Sequence, residues 1–334
     1  CIRDSYLIAD YIDHADMKSA IVFFNHSGEQ LDVTLPESLR GTIGGFQSIG
    51  DDAIMFSVTS YTQPVQYFSF DFTNNSLELL WEEAIPGFNP NDYTEVSTNY
   101  ESKDGTMVPI TYSYKNSTKL NKDTPIFLYA YGGYNISIRP SFTPKYVAWL
   151  EMGGVLAVAN IRGGGEFGKA WHNAGRLDTK QNVFDDFLYA SKFLESNAIG
   201  NRKSTVISGR SNGGLLVGAT LIQNPNYFGA ALPAVGVMDM IRFTEFTEGW
   251  GWRGDYGYPI LSQEDFHRNI EISPYHQTKI GVCYSPTLTT TARRDDRVVP
   301  SHSYKFTARQ QEYQGCNNPV TVSYTHLTLP TISD

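Results

Sequence analysis

Long apolar runs, basic clusters and closely spaced cysteines are all missing from this chain of 334 residues. Because no run of 18 apolar residues occurs, we expect no transmembrane helix and no membrane partner. The net charge is −9 without a basic cluster, which argues against nucleic acid as a partner. Cys1, Cys283 and Cys316 have no metal or redox spacing, so we expect no metal site. They fit a reducing compartment, and the cytoplasm is favoured over the periplasm.

An initiating methionine is also missing, because the chain begins at Cys1 inside a predicted strand. We expect the native protein to begin earlier, so the lack of a signal peptide excludes no compartment. Apolar residues make up 41% of the chain, enough for a sizeable core. The length predicts one large or two ordinary domains.

Residues 1–91 predict an all-β segment without a long helix. Turn residues separate six short apolar runs, at 6–12, 20–24, 31–35, 53–59, 65–72 and 77–81. Such strands predict a sandwich or the blades of a β-propeller. At roughly 40–45 residues a blade, the segment would hold about two blades, an incomplete propeller.

Beyond a turn-rich boundary at 87–92 the pattern changes, and residues 92–320 alternate strands with helices. An Asp-Gly hairpin is expected at 103–105. Further strands are predicted at 125–131, 154–161, 205–207, 229–235 and 287–291, and helices at 183–194, after 212 and at 301–313. This alternation predicts a mostly parallel, doubly wound sheet of the α/β-hydrolase type, with its active site at the carboxyl ends of the strands.

A G-x-S-x-G motif, Gly209-Arg-Ser-Asn-Gly213, lies between a predicted strand and a predicted helix. In this context the motif predicts a nucleophile elbow, with Ser211 as the nucleophile and glycines where side chains would collide. The backbone N–H of Asn212 would then point at a developing oxyanion. The alternative is an ordinary serine in a glycine-rich turn.

A serine nucleophile needs a base and an orienting acid. Asp295 and Asp296 follow the predicted strand 287–291, and the residues alone do not choose between them. Of the histidines beyond them, His302 is too close to the acid and is predicted to be structural. His326 lies in a string that resembles a translated sequencing adapter, so we predict that residues 321–334 are a non-native tail.

The loop 129–135 lies where esterases carry their oxyanion loop, and Tyr131 could donate a second hydrogen bond there. A buried structural tyrosine explains the same residue equally well.

Six segments of the chain resemble the prolyl oligopeptidase family of serine peptidases, in family order over residues 92–320. They are residues 129–137, 153–168, 208–216, 235–240, 255–257 and 295–300. The preceding residues 1–91 resemble the last blades of that family's seven-bladed propeller.

This resemblance implies a role for each matching residue. Ser211 would be the nucleophile, Asp295 the triad acid, and Tyr131 would share the oxyanion hole with the Asn212 N–H. The substrate side would be formed by Trp252 stacked on a proline ring, by Tyr134, Val237, Tyr256 and Val298 around it, and by Arg297 on a carbonyl. The resemblance further implies a monomer without cofactor that cleaves short peptides after proline through an acyl-enzyme.

The chain also departs from the family pattern. The family's base histidine lies in a Gly-His-Gly loop, which is absent here, so we expect the chain as written to be inactive. Arg210 and Glu248 stand where a small and an apolar residue are usual. Two alternatives are a sister peptidase such as oligopeptidase B, which cuts after basic residues, and a non-catalytic remnant that only binds.

Overall fold

The structure is a computed structural model that describes residues 2–3, 6–33, 35–36, 39, 41–50 and 52–325. The chain divides into two compact units. The first comprises residues 1–98, 111–119 and 139–156, and the second comprises residues 99–110, 120–138 and 157–334. No helix in the described ranges is long and apolar enough to cross a membrane.

Two antiparallel sheets lie within the first unit. Their strands are β1 (Ile2–Arg3), β2 (Tyr6–Ile12), β3 (Ser19–Asn25), β4 (Thr42–Ser48), β5 (Ala53–Thr59), β6 (Gln66–Asp71) and β7 (Ser76–Glu82). The first sheet has the order β1–β2–β3 and the second the order β4–β5–β6–β7. Strand β5 alternates as expected of a half-buried strand, since Ile54, Phe56 and Val58 are buried.

Two strand assignments in this part needed correction. The run 31–35 forms no strand among its described residues, and only Gln30 makes an isolated bridge, to Phe24. Strand β4 was not predicted, because Gly44 and Gly45 interrupt its apolar pattern. The register against β5 shifts between Gly44 and Gln47, so these glycines mark a β-bulge.

A third sheet has eight strands. Its strands are β8 (Tyr93–Glu101), β9 (Met107–Lys115), β10 (Ile126–Tyr129), β11 (Val155–Ala159), β12 (Thr205–Arg210), β13 (Ala230–Ala234), β14 (Thr287–Ala292) and β15 (Val320–Thr325), in the order β15–β14–β13–β12–β10–β11–β9–β8. Five of them lie in the second unit, and β8, β9 and β11 have residues in both units. The strands from β15 to β10 are parallel. Every residue of β11 is buried, as a strand covered on both faces requires. The prediction of an α/β sheet is confirmed.

Eight α-helices accompany these sheets in the described chain. They are α1 (Pro144–Glu151), α2 (Gly168–Asn173), α3 (Gln181–Ser196), α4 (Asn212–Gln223), α5 (Arg253–Tyr256), α6 (Gln263–Ile272), α7 (Pro274–Gln277) and α8 (Ser301–Tyr313). Helices α3, α4 and α8 were predicted. Helix α4 is apolar all round and almost wholly buried, because it follows the candidate nucleophile directly into the core.

The end of the described chain pairs with the sheet. Strand β15 runs parallel to β14, from Thr287 opposite Val320 to Ala292 opposite Thr325. Residues 321–325 of the predicted tail are therefore part of the fold, whereas His326 and the rest of the tail lie outside the described residues. That residues 321–334 are non-native stays a prediction.

Cys283 and Cys316 are 33 positions apart in sequence and form a disulfide, with their Cα atoms 5.1 Å apart. The sequence analysis did not predict this bond, since nothing in the spacing indicates it. Disulfides are rare in reducing compartments. The cysteines therefore no longer support the expectation of a cytoplasmic protein.

Candidate active site

Ser211 occupies a strained turn between β12 and α4. Its φ of 58° and ψ of −118° are unusual for a residue with a side chain. The turn is held from both sides, because the Ser211 N–H donates to the Ala234 carbonyl (2.9 Å) and its own carbonyl accepts from the Gly214 N–H (2.8 Å). This is the conformation expected of a nucleophile elbow.

The flanking glycines of the motif are required by space. A Cβ on Gly209 would lie 2.2 Å from the Gly213 carbonyl oxygen, and a Cβ on Gly213 would lie 2.8 Å from the Ala130 carbonyl oxygen. Any side chain at either position would push the strand, the helix or the neighbouring loop apart.

Three parallel strands end at the same edge of the sheet and bring the candidate catalytic residues together. Tyr131 follows β10, Ser211 follows β12 and Asp295 follows β14. All three line one cavity of about 560 Å³, together with Arg210 and Arg297. The structure therefore brings these side chains together at the carboxyl ends of the strands.

The structure distinguishes the two adjacent carboxylates. Asp295 is half-buried, and its Oδ1 accepts hydrogen bonds from the backbone N–H groups of Arg297 (3.1 Å) and Val298 (2.9 Å). These bonds fix the orientation of the carboxylate. Asp296 is exposed, and the Thr247 hydroxyl donates to its backbone carbonyl. Asp295 therefore has the geometry expected of an orienting acid.

Tyr131 is half-buried with its hydroxyl next to Ser211. Burial raises the pKa of its phenol, while the hydrogen bond with Ser211 and the charge of Arg297 act in the opposite direction. A phenol with a raised pKa stays protonated and can donate a hydrogen bond to an oxyanion.

A second, smaller cavity of about 320 Å³ shares Ser211, Tyr131 and Arg297 with the first. Its further lining includes Tyr134, Val237, Glu248, Trp252 and Tyr256. All the predicted substrate-side residues lie here except Val298, which is buried and lines the larger cavity. Glu248 is exposed, so its carboxylate does not carry the cost of burial without a partner.

Aromatic rings build the wall of the smaller cavity. Trp252 stacks on Phe243, with 6.3 Å between ring centroids and 12° between planes. Tyr256 meets both Phe243 and Tyr134 edge-on, at 5.5 and 5.7 Å. Such an arrangement leaves flat apolar faces for a ligand ring. Phe243 was not predicted as a site residue, because it lies outside the matching segments.

None of the six described histidines lines either cavity, and the seventh, His326, lies outside the described residues. His302 is 1% exposed, and its Nδ1 accepts a hydrogen bond from the Asp239 N–H (3.1 Å). This supports the structural role predicted for His302. In the part of the chain that the structure covers, no group of three or more His, Cys, Asp or Glu could hold a metal ion.

The burial of His302 should make the protein sensitive to acid. Burial lowers the pKa of His302 to about 4, against 6.5 for an ordinary histidine. Between these pH values the unfolded chain binds a proton that the folded chain does not, so stability falls as the pH falls from about 6.5 to about 4. Compared with pH 7, the loss due to this group at pH 4.5 should be about 2–3 kcal/mol.

His302→Asn tests this prediction, because the asparagine Oδ1 can replace Nδ1 as acceptor and does not titrate. Urea unfolding at pH 7 and pH 4.5 should show a smaller pH-dependent loss in this variant than in the wild type. The exposed His267, replaced in the same way, is the control and should leave the loss unchanged. Equal losses in the wild type and His302→Asn would contradict the prediction.

Polar residues that hold the site together were missed by the sequence analysis. Asp255 is buried; its Oδ2 accepts from the Tyr134 N–H (2.8 Å) and its Oδ1 lies 2.9 Å from His172 Nε2. Lys180 is buried as well and donates to the Gly132 carbonyl (2.9 Å). One indication of such a role was present in the sequence, since Asp255 is the first residue of the matching segment 255–257.

The strained serine turn and the neighbouring tyrosine, above a parallel sheet, place the chain in the α/β-hydrolase class. The comparison with known families identifies a particular family within this class. The model of the prolyl oligopeptidase family matches residues 140–325, so the chain belongs to that family.

Relatives extend this match over almost the whole chain. A prolyl endopeptidase of Elizabethkingia miricola is 42% identical over 319 residues, which cover 95% of this chain and 44% of the relative. A solved prolyl oligopeptidase B of Galerina marginata, bound to a 35mer hydrolysis and macrocyclization substrate, is 33% identical with a TM-score of 0.91. It covers 97% of this chain, and the match takes in 46% of the solved chain. This chain thus spans less than half the length of both.

Proposed function

We propose that the whole protein is a serine peptidase that cleaves short peptides after proline. The observation that carries this proposal is the position of Ser211, which lines both the cavity that contains Asp295 and the cavity walled by aromatic rings. The first cavity supplies the chemistry, and the second fits a flat apolar ring. Prolyl endopeptidase relatives at 42% identity support the same reaction.

The residues suggest the following sequence of bond changes. Ser211 Oγ attacks the carbonyl carbon of the proline residue, and its proton passes to a general base. The oxyanion accepts hydrogen bonds from the Tyr131 hydroxyl and the Asn212 N–H. When the tetrahedral intermediate collapses, the amine of the next residue leaves with the proton, and a prolyl ester remains on Ser211. Water then cleaves the ester and releases a peptide that ends in proline.

The base in this scheme comes from the family pattern, which places a histidine in a Gly-His-Gly loop. Asp295, fixed by two backbone N–H groups, would orient that imidazole. No metal or organic cofactor enters any step of this scheme.

The smaller cavity supports proline as the residue before the cleaved bond. The exposed face of the Trp252 indole can stack on a pyrrolidine ring, with Tyr134, Val237 and Tyr256 around it. Arg297 is exposed beside Ser211 and can donate to a backbone carbonyl of the substrate.

We also infer that residues 1–91 form the last blades of a β-propeller ahead of a catalytic domain at 92–320. The four antiparallel strands β4 to β7, joined in chain order, have the makeup of one propeller blade. A propeller would limit access to short peptides, and we propose that the protein acts as a monomer.

One observation favours a second candidate function, cleavage after basic residues. Glu248 lines the smaller cavity and could bind an arginine or lysine side chain there. The carboxylate is exposed at the edge of a cavity with aromatic walls, so we regard proline as the better fit.

The choice can be tested with two reporter peptides that differ only in a proline or an arginine before the leaving group. The whole protein should show a kcat/KM at least about 10-fold higher for proline, because the aromatic cavity stabilises the flat ring. Glu248→Gln is the matched control and should leave the rate on the proline reporter within about twofold. A preference for arginine that Glu248→Gln abolishes would establish the second candidate instead.

A further inference from the structure

A buried lysine lies behind the loop that carries Tyr131. Lys180 precedes α3 and is 2% exposed, and its Nζ lies 5.5 Å from the centroid of the Tyr256 ring. The Nζ donates to the Gly132 carbonyl (2.9 Å) and to Asn212 Oδ1 (3.1 Å). Burial of an ammonium group costs free energy, so these bonds must offset a considerable penalty.

The Asn212 side chain links three parts of the site. Its Nδ2 donates to the Tyr131 carbonyl (2.5 Å), and its Oδ1 accepts from the Tyr256 hydroxyl (2.7 Å) as well as from Lys180. The nucleophile turn, the tyrosine loop and the aromatic wall therefore meet at one amide. Asn212 is 1% exposed, so water does not compete for these bonds.

The tyrosine loop needs such support because its backbone is unusual. Gly132, Tyr134 and Asn135 all have positive φ, of 65°, 58° and 58°. Two of these residues carry side chains, and the region is unfavourable for Tyr134 in particular, since asparagine tolerates it better. Gly133 packs so closely on Asn212 that a Cβ there would lie 2.6 Å from Asn212 Nδ2. The carbonyls of Tyr131 and Gly132 are thus held one after the other by Asn212 and Lys180.

We propose that Lys180 is a positioning residue which, with the Asn212 side chain, fixes the tyrosine loop against the nucleophile turn. It keeps the Tyr131 hydroxyl and the Asn212 N–H directed at the same oxyanion. Lys180 lines neither cavity, so it acts through these two residues and not on the substrate. The assignment rests on the proposed function, because it takes Tyr131 as an oxyanion donor.

Lys180→Met in the whole protein tests this role, since methionine fills similar space without a donor. With a proline reporter, kcat should fall about 10- to 100-fold while KM changes less than about threefold, because a displaced donor weakens transition-state binding. Lys192→Met is the matched control: Lys192 is exposed on α3, and its loss should leave kcat within about twofold.

A double-mutant comparison distinguishes a positioning role of Lys180 from a general disturbance of the active-site structure. In a Tyr131→Phe background the donor on the tyrosine loop is gone, and the remaining donor, the Asn212 N–H, belongs to the backbone of the nucleophile turn. Lys180→Met should therefore lower kcat by less than about threefold further. An unchanged kcat in the single variant would overturn the proposal. An equal loss in both backgrounds would also overturn it, since the lysine would then not act through Tyr131. If Lys180→Met does not fold, Asn212→Ala, which removes the same link, replaces it in both backgrounds under the same criteria.

The test also separates this inference from the proposed specificity. If the wild-type protein does not cleave the proline reporter, the proposed function fails. The rate at which a fluorophosphonate labels Ser211 then replaces kcat, because its phosphoryl oxygen occupies the oxyanion position. The labelling rate should fall in Lys180→Met by the same factors as are expected for kcat in each background. A labelling rate that Lys180→Met leaves unchanged would overturn the role of Lys180.

Discussion

Replacing Ser211 by alanine should lower kcat/KM of the whole protein on a proline reporter by roughly 10⁴- to 10⁶-fold. Among the described residues that line both cavities, Ser211 carries the one aliphatic hydroxyl, and the proposed scheme uses this group to form the acyl-enzyme. Without it, the oxyanion donors and the aromatic cavity remain, and they account for the residual rate. Initial rates at substrate concentrations well below KM measure the ratio directly.

The loss should occur without unfolding. Alanine at 211 keeps the backbone conformation with φ of 58° and the hydrogen bonds of the turn, so the urea midpoint should stay within experimental error. Ser196→Ala, at the exposed end of α3, is the matched control and should retain full activity. A Ser211→Ala protein with more than about a hundredth of the wild-type rate would contradict the assignment.

The nucleophile turn could be predicted because its determinants are local in sequence. Strand, glycines, serine and helix all lie between residues 205 and 223, and the close contact of Gly209 with Gly213 spans only four residues. The approach of Tyr131 and Asp295 followed from the rule that parallel strands end at one edge. Predicting this part of the site therefore required no knowledge of long-range packing.

The support around the turn could not be predicted in the same way. Lys180 reaches Gly132 and Asn212 across 48 and 32 residues, and a lysine before a helix carries no local sign of burial. The side-chain role of Asn212 was hidden for the same reason, since only its backbone N–H follows from the motif. Such contacts become visible only when the sheet order is known.

In the fold, the errors also have physical causes. Strand β4 contains two glycines and lacks an apolar alternation, yet it pairs because β5 offers a free edge. Helix α6 was missed although it carries a recognisable signal, since the Ser262 side chain caps it by accepting from the Asp265 N–H (3.2 Å). The helix was overlooked because most of its side chains are polar or charged and only Phe266, Ile270 and Ile272 are apolar.

The second unit contains a buried ion pair whose disruption should be strongly destabilising. Arg162 is 4% exposed and Asp186 is fully buried. The guanidinium donates through Nε to Asp186 Oδ2 (2.9 Å) and through a terminal nitrogen to Oδ1 (2.6 Å). The Ser102 hydroxyl and the Arg162 N–H donate to the same carboxylate (2.5 and 3.0 Å). Asp186 thus joins α3 to the turn after β11.

Asp186→Asn should lower the free energy of unfolding by about 3–5 kcal/mol, because Arg162 is left buried without a full counter-charge. Asp185→Asn is a matched control one residue away. Asp185 pairs with Lys103 at 3.0 Å, and the lysine side chain is 59% exposed, so its loss should cost at most about 1 kcal/mol. Urea unfolding at pH 7 measures both values, and similar losses in the two variants would contradict the prediction.

A double substitution distinguishes two explanations of this loss. Either the ion pair itself stabilises the fold, or the loss comes only from leaving one buried charge without its partner. The attraction between buried charges is largely offset by the cost of removing them from water, so Arg162→Met with Asp186→Leu should recover most of the stability lost in Asp186→Asn. Asp104 also bonds Arg162, whose guanidinium lowers the pKa of Asp104 to about 2. Because Asp104 is half exposed to water, it tolerates the loss of its partner. A double variant as unstable as Asp186→Asn would instead mean that the ion pair itself stabilises the turn after β11.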